Sequence, residues 1–395
     1  MSGFQTAPDP QGSARDNVDG DEPTDPNNLE TLTLDSDSAE NHWNAWHRLA
    51  LKSLDPNPFF GPEFLVPFLR NMNQTNVSLY VIRSRKTGHW LMAAPMASRK
   101  LGLFVPAATS LATEYGPLGV PLLSPQAPAP TIPAFLSLAN KATGKPLIAF
   151  PYMPLDSHTA QALQAAPGWT ARIGSQSHRA AHGNELEGEE QFSRAYSGKR
   201  RKELSRLLRR LSAHGEVTFE SHIGTDALDQ FERFLDLEAS GWKGKRGSAL
   251  LSQNSTACFA RDMITGREAS NGIRIDALRV AGQPIAMLLI MLEADQAFSW
   301  KIAYDQDFSR YSPGAHITLF AFERNLSDPT IISADSLAIP GHPMIEPLWR
   351  GRLRYGTLFC AKSVSGRLLQ AAAKYDQSLE QDIRKIARKI LRRPS

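Results

Sequence analysis

AFSWKIAYDQDFSRYSPGAHITLFAFE, residues 297–323, reads as a strand, a short polar loop and then a helix. Ala297, Phe298, Trp300 and Ile302 fit a half-buried strand, and Asp305, Gln306 and Asp307 end it. Ser312 is placed to cap a helix whose first turn takes Pro313, where the missing N–H costs nothing. Gly314 lets a ligand come close to the backbone. Ala315, Ile317, Leu319, Phe320 and Phe322 then carry the apolar face. A strand that feeds a helix start in this way presents unpaired N–H groups and a positive dipole end, a setting for phosphate or pyrophosphate.

Outward from this stretch, 395 residues with 42% hydrophobic content are enough for two domains of ordinary size. Cys258 and Cys360 are the only cysteines; they give no metal-ligand spacing and suit a reducing compartment. No metal is expected. The N-terminus lacks a basic start followed by an apolar run, so no signal peptide is expected, and Ile285 to Leu292 is far too short to span a bilayer. A cytoplasmic protein follows, with peripheral attachment at the inner membrane surface as its variant. The net charge of +4 hides an asymmetry: residues 1–40 hold ten acids against Arg15, a net of −9, which leaves +13 for the rest. Residues 1–40 are predicted to form a disordered acidic tail, and the basic body is expected to meet an anionic partner.

Along the chain, Ser38 to Leu54 has helical spacing, with Trp43, Trp46 and Leu49 on one face. Val77 to Ser84 and His89 to Ser98 read as a hairpin, Ile132 to Thr143 as a helix, Pro146 to Tyr152 as a buried strand and Trp169 to Ile173 as another. Residues 174–195 are polar and read as a linker or an exposed hairpin. Domains are therefore expected at 41–185 and 190–362, followed by a basic amphipathic helix at 366–395. Tyr196 to Leu211 is a helix with seven bases around a stripe of Leu204, Leu207, Leu208 and Leu211. Gly241 to Gly247, with Trp242 and Lys243, reads as a basic loop of the kind that clamps a phosphate or lids a substrate. Ile273 to Val280, Pro284 to Glu293 and Gln296 to Ala303 form an antiparallel meander that leads into the opening stretch. Ile331 to Ala338 is predicted as a strand, Trp349 to Tyr355 as a short helix and Thr357 to Lys362 as a last strand.

Several short blocks carry a resemblance: Ser197 to Leu204, Gly241-Trp242-Lys243-Gly244 with Gly247, Lys301 with Tyr304 and Asp305, and Tyr311-Ser312-Pro313-Gly314, with Asp335 and Trp349 fitting more loosely. Residues of about 190 to 360 resemble the BioF2-like acetyltransferase domain of the GNAT superfamily, found in CelD-type cellulose-biosynthesis proteins and distantly similar to the FemABX aminoacyltransferases. Asn57 to Phe60 through Tyr115 to Leu118 resembles the N-terminal half of the same family. The resemblance implies a mixed α/β GNAT fold in two tandem domains. It also implies acetyl-CoA or another acyl-CoA as co-substrate, and transfer to an amine or hydroxyl acceptor in polysaccharide or cell-envelope synthesis.

On this reading Tyr311, Ser312, Gly314, Ala315 and His316 hold the cofactor, Trp242, Lys243 and Lys301 hold the acceptor, and Asp305, Asp335, Tyr304 and His316 handle protons. One departure stands out. The usual pyrophosphate loop is Arg/Gln-x-x-Gly-x-Gly/Ala, whereas Arg310 is followed by Tyr311-Ser312-Pro313-Gly314-Ala315, so the spacing differs and Pro313 removes a donor. Two alternatives use other features. Aminoacyl transfer from aminoacyl-tRNA would use the basic helix from Lys199 to Arg210. A non-catalytic accessory protein of exopolysaccharide synthesis would meet an anionic membrane surface through the C-terminal helix.

Overall fold

The computed structural model describes residues 28–74, 76–183, 198–342 and 344–391. The expected disorder of 1–40 is corrected at its end: Leu29–Leu34 is a strand (β1) and Ser36–Glu40 a short helix (α1), while residues 1–27 lie outside the described residues. The expected helix over Ser38 to Leu54 divides into α1 and α2 (Trp43–Leu51). Then follow α3 (Pro62–Asn71), β2 (Val77–Ser84), β3 (Trp90–Leu101), β4 (Val105–Ser110), β5 (Leu122–Leu123), α4 (Thr131–Thr143), β6 (Leu147–Pro154), α5 (His158–Gln164) and β7 (Thr170–Gly183). The second half comprises α6 (Gly198–Leu211), β8 (Val217–Ile223), α7 (Thr225–Ser240), α8 (Trp242–Lys245), α9 (Asn254–Glu268), β9 (Ile273–Val280), β10 (Gln283–Glu293) and β11 (Gln296–Tyr304). It ends with α10 (Pro313–Ser327), β12 (Ser333–Asp335), β13 (Gly351–Ala361) and α11 (Val364–Leu391).

All thirteen strands join one sheet in the order β1-β2-β3-β4-β6-β13-β7-β12-β11-β10-β9-β8, with β5 on the side of β3. The order is palindromic. In each half an antiparallel run of strands is followed by a helix and a parallel return: β4 to β6 across α4, and β11 to β12 across α10. The halves then exchange their last strands. β13 of the second half pairs with β6, β7 of the first half pairs with β12, and β13 and β7 pair with each other. The mixed α/β sheet with two tandem halves is the predicted fold, but the sheet runs without a break through the expected boundary.

Two expectations fail here for one reason. Residues 174–183, read as linker, are the second part of β7, and 351–355, read as helix, are the start of β13. Both stretches are polar and half-exposed along most of their length, so neither shows the apolar alternation that announces a strand. Their partners are each other, ten pairs from Gly351↔Ala181 to Ala361↔Thr170, and the backbone pairing decides the structure.

The two halves also share side-chain packing. Trp300 of β11 lies among Phe64 (centroids 6.4 Å) and Phe259 (6.3 Å), and Phe64 and Phe68 of α3 pack edge-on against Phe259 of α9 at 5.2 and 5.3 Å. Such aromatic contacts add to the burial of large rings. Further along the sheet, one carboxylate helps to tie α11 down. Asp376 accepts the backbone N–H groups of Leu103, Phe104 and Val105 at 3.0, 2.8 and 2.9 Å. Burial raises the pKa of this carboxyl, but the three donors outweigh burial and hold it below its ordinary 3.8. Its contribution is thus present above pH 3.8 and is lost as the pH falls through the lowered value. Asp376→Ala is expected to cost about 3 kcal/mol in chemical denaturation, because three turn N–H groups lose a charged acceptor.

Candidate functional site

The site begins where two parallel strands part. β11 and β12 pair at Gln296↔Ser333, Ala297↔Ala334 and Phe298↔Asp335, and then separate. Both strands contribute to the separation. In β11, Lys301 faces Leu289 of β10 but Ser299 faces Ile290, so Trp300 is an extra residue, a β-bulge. In β12, Asp335 Oδ1 accepts the N–H of Leu337 at 2.9 Å, Ser336 Oγ accepts that of Ala338 at 3.2 Å, and Leu337 takes a left-handed φ of 51°. The chain turns away, and a cavity of about 120 Å³ opens. Ser299 and Ile302 line it from β11, Ser336 and Ala338 from the β12 side, and His342 and Met344 from the loop that follows.

Among the described residues, two polar atoms at this cavity are buried without a hydrogen-bond partner, Ser299 Oγ and His342 Nδ1. Buried polar groups are nearly always satisfied, so an orphaned pair in one cavity marks a place for a polar ligand. Burial lowers the His342 pKa and Lys243 pushes the same way, against a smaller opposing pull from Glu346. The imidazole is therefore neutral at pH 7. Sequence reading missed His342, which lies in a Gly- and Pro-containing loop with no motif around it.

Beside the cavity lies a charged cluster. Lys243 Nζ donates to Glu238 Oε1 at 2.8 Å and to the Ile302 carbonyl at 2.9 Å, and Glu238 Oε2 accepts the N–H of Leu250 at 2.9 Å. Lys301 Nζ stands over the rings of Tyr115 (5.1 Å) and Trp300 (5.4 Å). The bulge makes this possible, since it turns Trp300 and Lys301 to the same side. Burial lowers the Lys301 pKa, against the attraction of Glu238. The indole of Trp300 donates to the Tyr115 carbonyl at 2.6 Å, so the first half supplies a wall of the site. Lys243 and Lys301, both named from sequence, thus come together. Trp242 stays at the surface, 43% exposed, under the guanidinium of Arg246 at 5.1 Å. The expected basic loop around it is the short helix α8.

The helix start is tighter than the sequence suggests. Ser312 adopts a left-handed φ of 55° and its hydroxyl does not cap α10; its carbonyl accepts the N–H groups of Ala315 (3.0 Å) and His316 (3.2 Å) instead. Gly314 is closely approached by the protein itself: a Cβ there would lie 2.5 Å from Sδ of the flexible Met344. Tyr311, Gly314, Ala315 and His316 are all buried. The Tyr311 hydroxyl pairs with His214 Nε2 at 2.7 Å, and Arg310 and Arg210 stack on its ring at 4.9 and 5.9 Å. His316 Nε2 has no partner, and burial lowers its pKa to about 4.

The acidic candidates have structural duties. Asp335 is 4% exposed and both oxygens are taken: Oδ1 by Leu337, and Oδ2 by Arg179 of β7 in a buried ion pair. It shapes the parting of the strands, and each of its oxygens is already engaged in holding them. Asp305 accepts the N–H of Asp307 at 2.9 Å and caps a 3-10 turn. Tyr304 is half-buried against the α6–α10 layer.

The first half has the corresponding parting, between β4 and β6 after Thr109↔Ala149, but it is filled. Ser110 Oγ donates to the Gly119 carbonyl at 2.8 Å, and a Cβ on Gly119 would sit 2.0 Å from the Pro151 carbonyl. The second half keeps a cavity at its parted strands.

Residues 198–328, about a third of the chain, match the family described as an acetyltransferase (GNAT) domain. No curated protein matches. Among solved structures, the chain is similar to the C-terminal domain of a putative lysylphosphatidylglycerol synthetase from Agrobacterium fabrum, at 12% identity and a TM-score of 0.52, over 88% of this chain and 97% of that one. It is also similar to FemX, at 10% identity and a TM-score of 0.51, over 87% and 100%. At these identities the likeness is one of fold, and the fold is that of the GNAT superfamily.

Asp335→Ala leaves a buried guanidinium with the Pro117 carbonyl and the Tyr355 ring but no counter-charge, and the expected loss is about 3–5 kcal/mol of stability by denaturant titration. A catalytic carboxylate would instead show lost turnover at unchanged stability.

Proposed function

We propose that the chain is an acyltransferase that takes an acyl group from acyl-CoA, acetyl-CoA in the simplest case, and passes it to an amine or hydroxyl acceptor. The observation that carries this reading is the parting of β11 and β12 around the bulge at Trp300, in the segment that matches the GNAT domain. Among the described residues, β11 has no register partner in β12 beyond Phe298, the Ile302 carbonyl taking Lys243 Nζ, and Trp300 has none on β10. A thioester carbonyl laid in the cavity meets free backbone N–H groups there, which steady the charge that develops on its oxygen. The acceptor approaches from the cluster of Lys301, Lys243 and Glu238, its nitrogen or oxygen attacks the carbonyl carbon, and the C–S bond breaks. His342 takes the acceptor's proton, being neutral and within the cavity wall. Tyr304, Asp305 and Asp335 have no part in this step.

The cavity is small, and Met344 lies over the α10 start where a pyrophosphate would reach Gly314. A thioether side chain with three rotatable bonds is the least costly group to displace. A saccharide or cell-envelope precursor as acceptor, as in CelD-type proteins, is the narrower form of this proposal.

Isothermal titration with acetyl-CoA is expected to show binding, and its absence under conditions where another GNAT enzyme binds overturns the reading. His342→Ala is expected to lower kcat by about 10²–10⁴ with binding retained. In the parent protein kcat should rise with pH through a midpoint below the ordinary histidine 6.5 and then level off, because the base works deprotonated and its pKa is lowered.

A second reading rests on α6, where Lys199, Arg200, Arg201, Lys202, Arg209 and Arg210 are exposed on one short helix. With an aminoacyl-tRNA as donor, this face would track phosphates, and tRNA affinity would fall steeply with salt. Weak binding of tRNA with a flat salt response removes this reading and leaves the first intact.

A further inference from the structure

α11 has two unlike faces. Its inner face is polar yet buried: Gln370 (1% exposed), Asp376 (7%) and Gln377 (9%) flank Ala373 and bond to the sheet. Gln370 Nε2 donates to the Thr170 carbonyl at 2.7 Å, and Gln377 Nε2 to Thr357 Oγ1 at 3.1 Å. Its outer face is apolar yet exposed: Val364 (66%), Leu368 (69%), Tyr375 (82%), Leu379 (50%) and Ile383 (47%). The spacings of four, seven, four and four residues keep these five on one stripe of the helix. Phe104, 68% exposed, is adjacent, because its N–H is held by Asp376. Polar bonding thus joins a small apolar contact, Ala373 and Leu369 against Leu101, Val105 and Phe359, in seating the helix on the body. The apolar stripe is left for something else.

Charge selects the occupant. From 364 to the C-terminus there are eight bases (Arg367, Lys374, Arg384, Lys385, Arg388, Lys389, Arg392 and Arg393) and three acids (Asp376, Glu380 and Asp382), a net of +5. The last ten of these residues before Pro394 hold six bases and no acid. A second copy of the chain would set +5 against +5. The chain's own acidic residues 1–27 match the charge but offer only Met1, Phe4 and Val18 as large apolar groups. No helix among the described residues is long and apolar enough to cross a membrane. An anionic lipid surface satisfies both features at once, taking the stripe into the headgroup boundary and meeting the bases with phosphates.

We propose that α11 lies on an anionic bilayer through Val364, Leu368, Tyr375, Leu379 and Ile383, and that this contact is independent of the acyl-transfer site. Full-length protein is sedimented with vesicles of phosphatidylglycerol and phosphatidylcholine, and with vesicles of phosphatidylcholine alone. Binding is expected for the first, and it should weaken with salt. Leu368→Glu combined with Leu379→Glu is expected to reduce binding by roughly tenfold or more, since both apolar insertion and charge attraction suffer. Both positions are exposed, so the thermal melt should be unchanged; if this variant fails to fold, the serine pair at the same positions is expected to weaken binding in the same direction. Equal binding of a folded variant, or no binding to the anionic vesicles at low ionic strength, overturns the proposal. So does light scattering that shows a dimer which the variant dissociates, since the stripe would then be covered by a second copy.

Discussion

β13 hydrogen-bonds to β6 along one edge and to β7 along the other, and the second half of the chain reaches into the first to make both ladders. The site depends on this exchange. β12 is only three residues long, too short to hold a place in a sheet by itself. It is fixed between β11 and β7, and β7 is held in turn by β13. The ion pair of Arg179 on β7 with Asp335 at the end of β12 joins the same elements by side chains. The point at which β11 and β12 part is therefore set from the first half, although every residue that parts is in the second. Two separate sheets laid side by side would leave β12 free to slide, and the cavity would have no defined width.

What was legible in the sequence follows the strength of the local pattern. The meander of β9, β10 and β11 alternates or runs apolar over eight to eleven residues, and α6, α9 and α10 have helical stripes, so their existence and order could be read. That order, with the short sequence blocks, carried the resemblance that implied the GNAT fold. β1, the end of β7 and the start of β13 have weak patterns because their side chains are largely half-exposed or polar, and only their partners make them strands. The site divided in the same way. Lys301 and Lys243 were legible as bases at a strand and after a helix, and they meet. Asp335 was legible as a carboxylate but not as a committed one, since Arg179 is 156 residues away in sequence. His342 carried no signal, because what distinguishes it is an empty hydrogen-bond position in a cavity, and cavities have no sequence pattern.

The helix start at Ser312 shows that a correct local reading does not by itself name the contact made there. Pro313 does open a helix and Gly314 does permit a close approach. The approaching atom is Met344 Sδ, and the N–H groups of Ala315 and His316 make the first bonds of the helix to the Ser312 carbonyl. Small residues at a helix start report that something comes near; they do not say whether it is a ligand or the chain.

The two halves repeat one plan and have diverged in what fills it. In the first half Gly119 is pressed against the Pro151 carbonyl between the parted ends of β4 and β6, so the cleft is occupied by the chain's own backbone. The filling segment does more than close a gap. It carries Tyr115, whose carbonyl takes the Trp300 indole and whose ring lies under Lys301 Nζ, and Pro117, whose carbonyl takes Arg179 at 3.1 Å. One loop thus blocks the first cleft, orients the bulge that opens the second, and braces the arginine that holds β12. A mutation that reopened the first cleft would loosen this loop and with it Trp300 and Lys301, so the two clefts cannot both be open at full rigidity. The first half has become a support for the second, and that is why the parted strands of one half are shaped by a loop of the other.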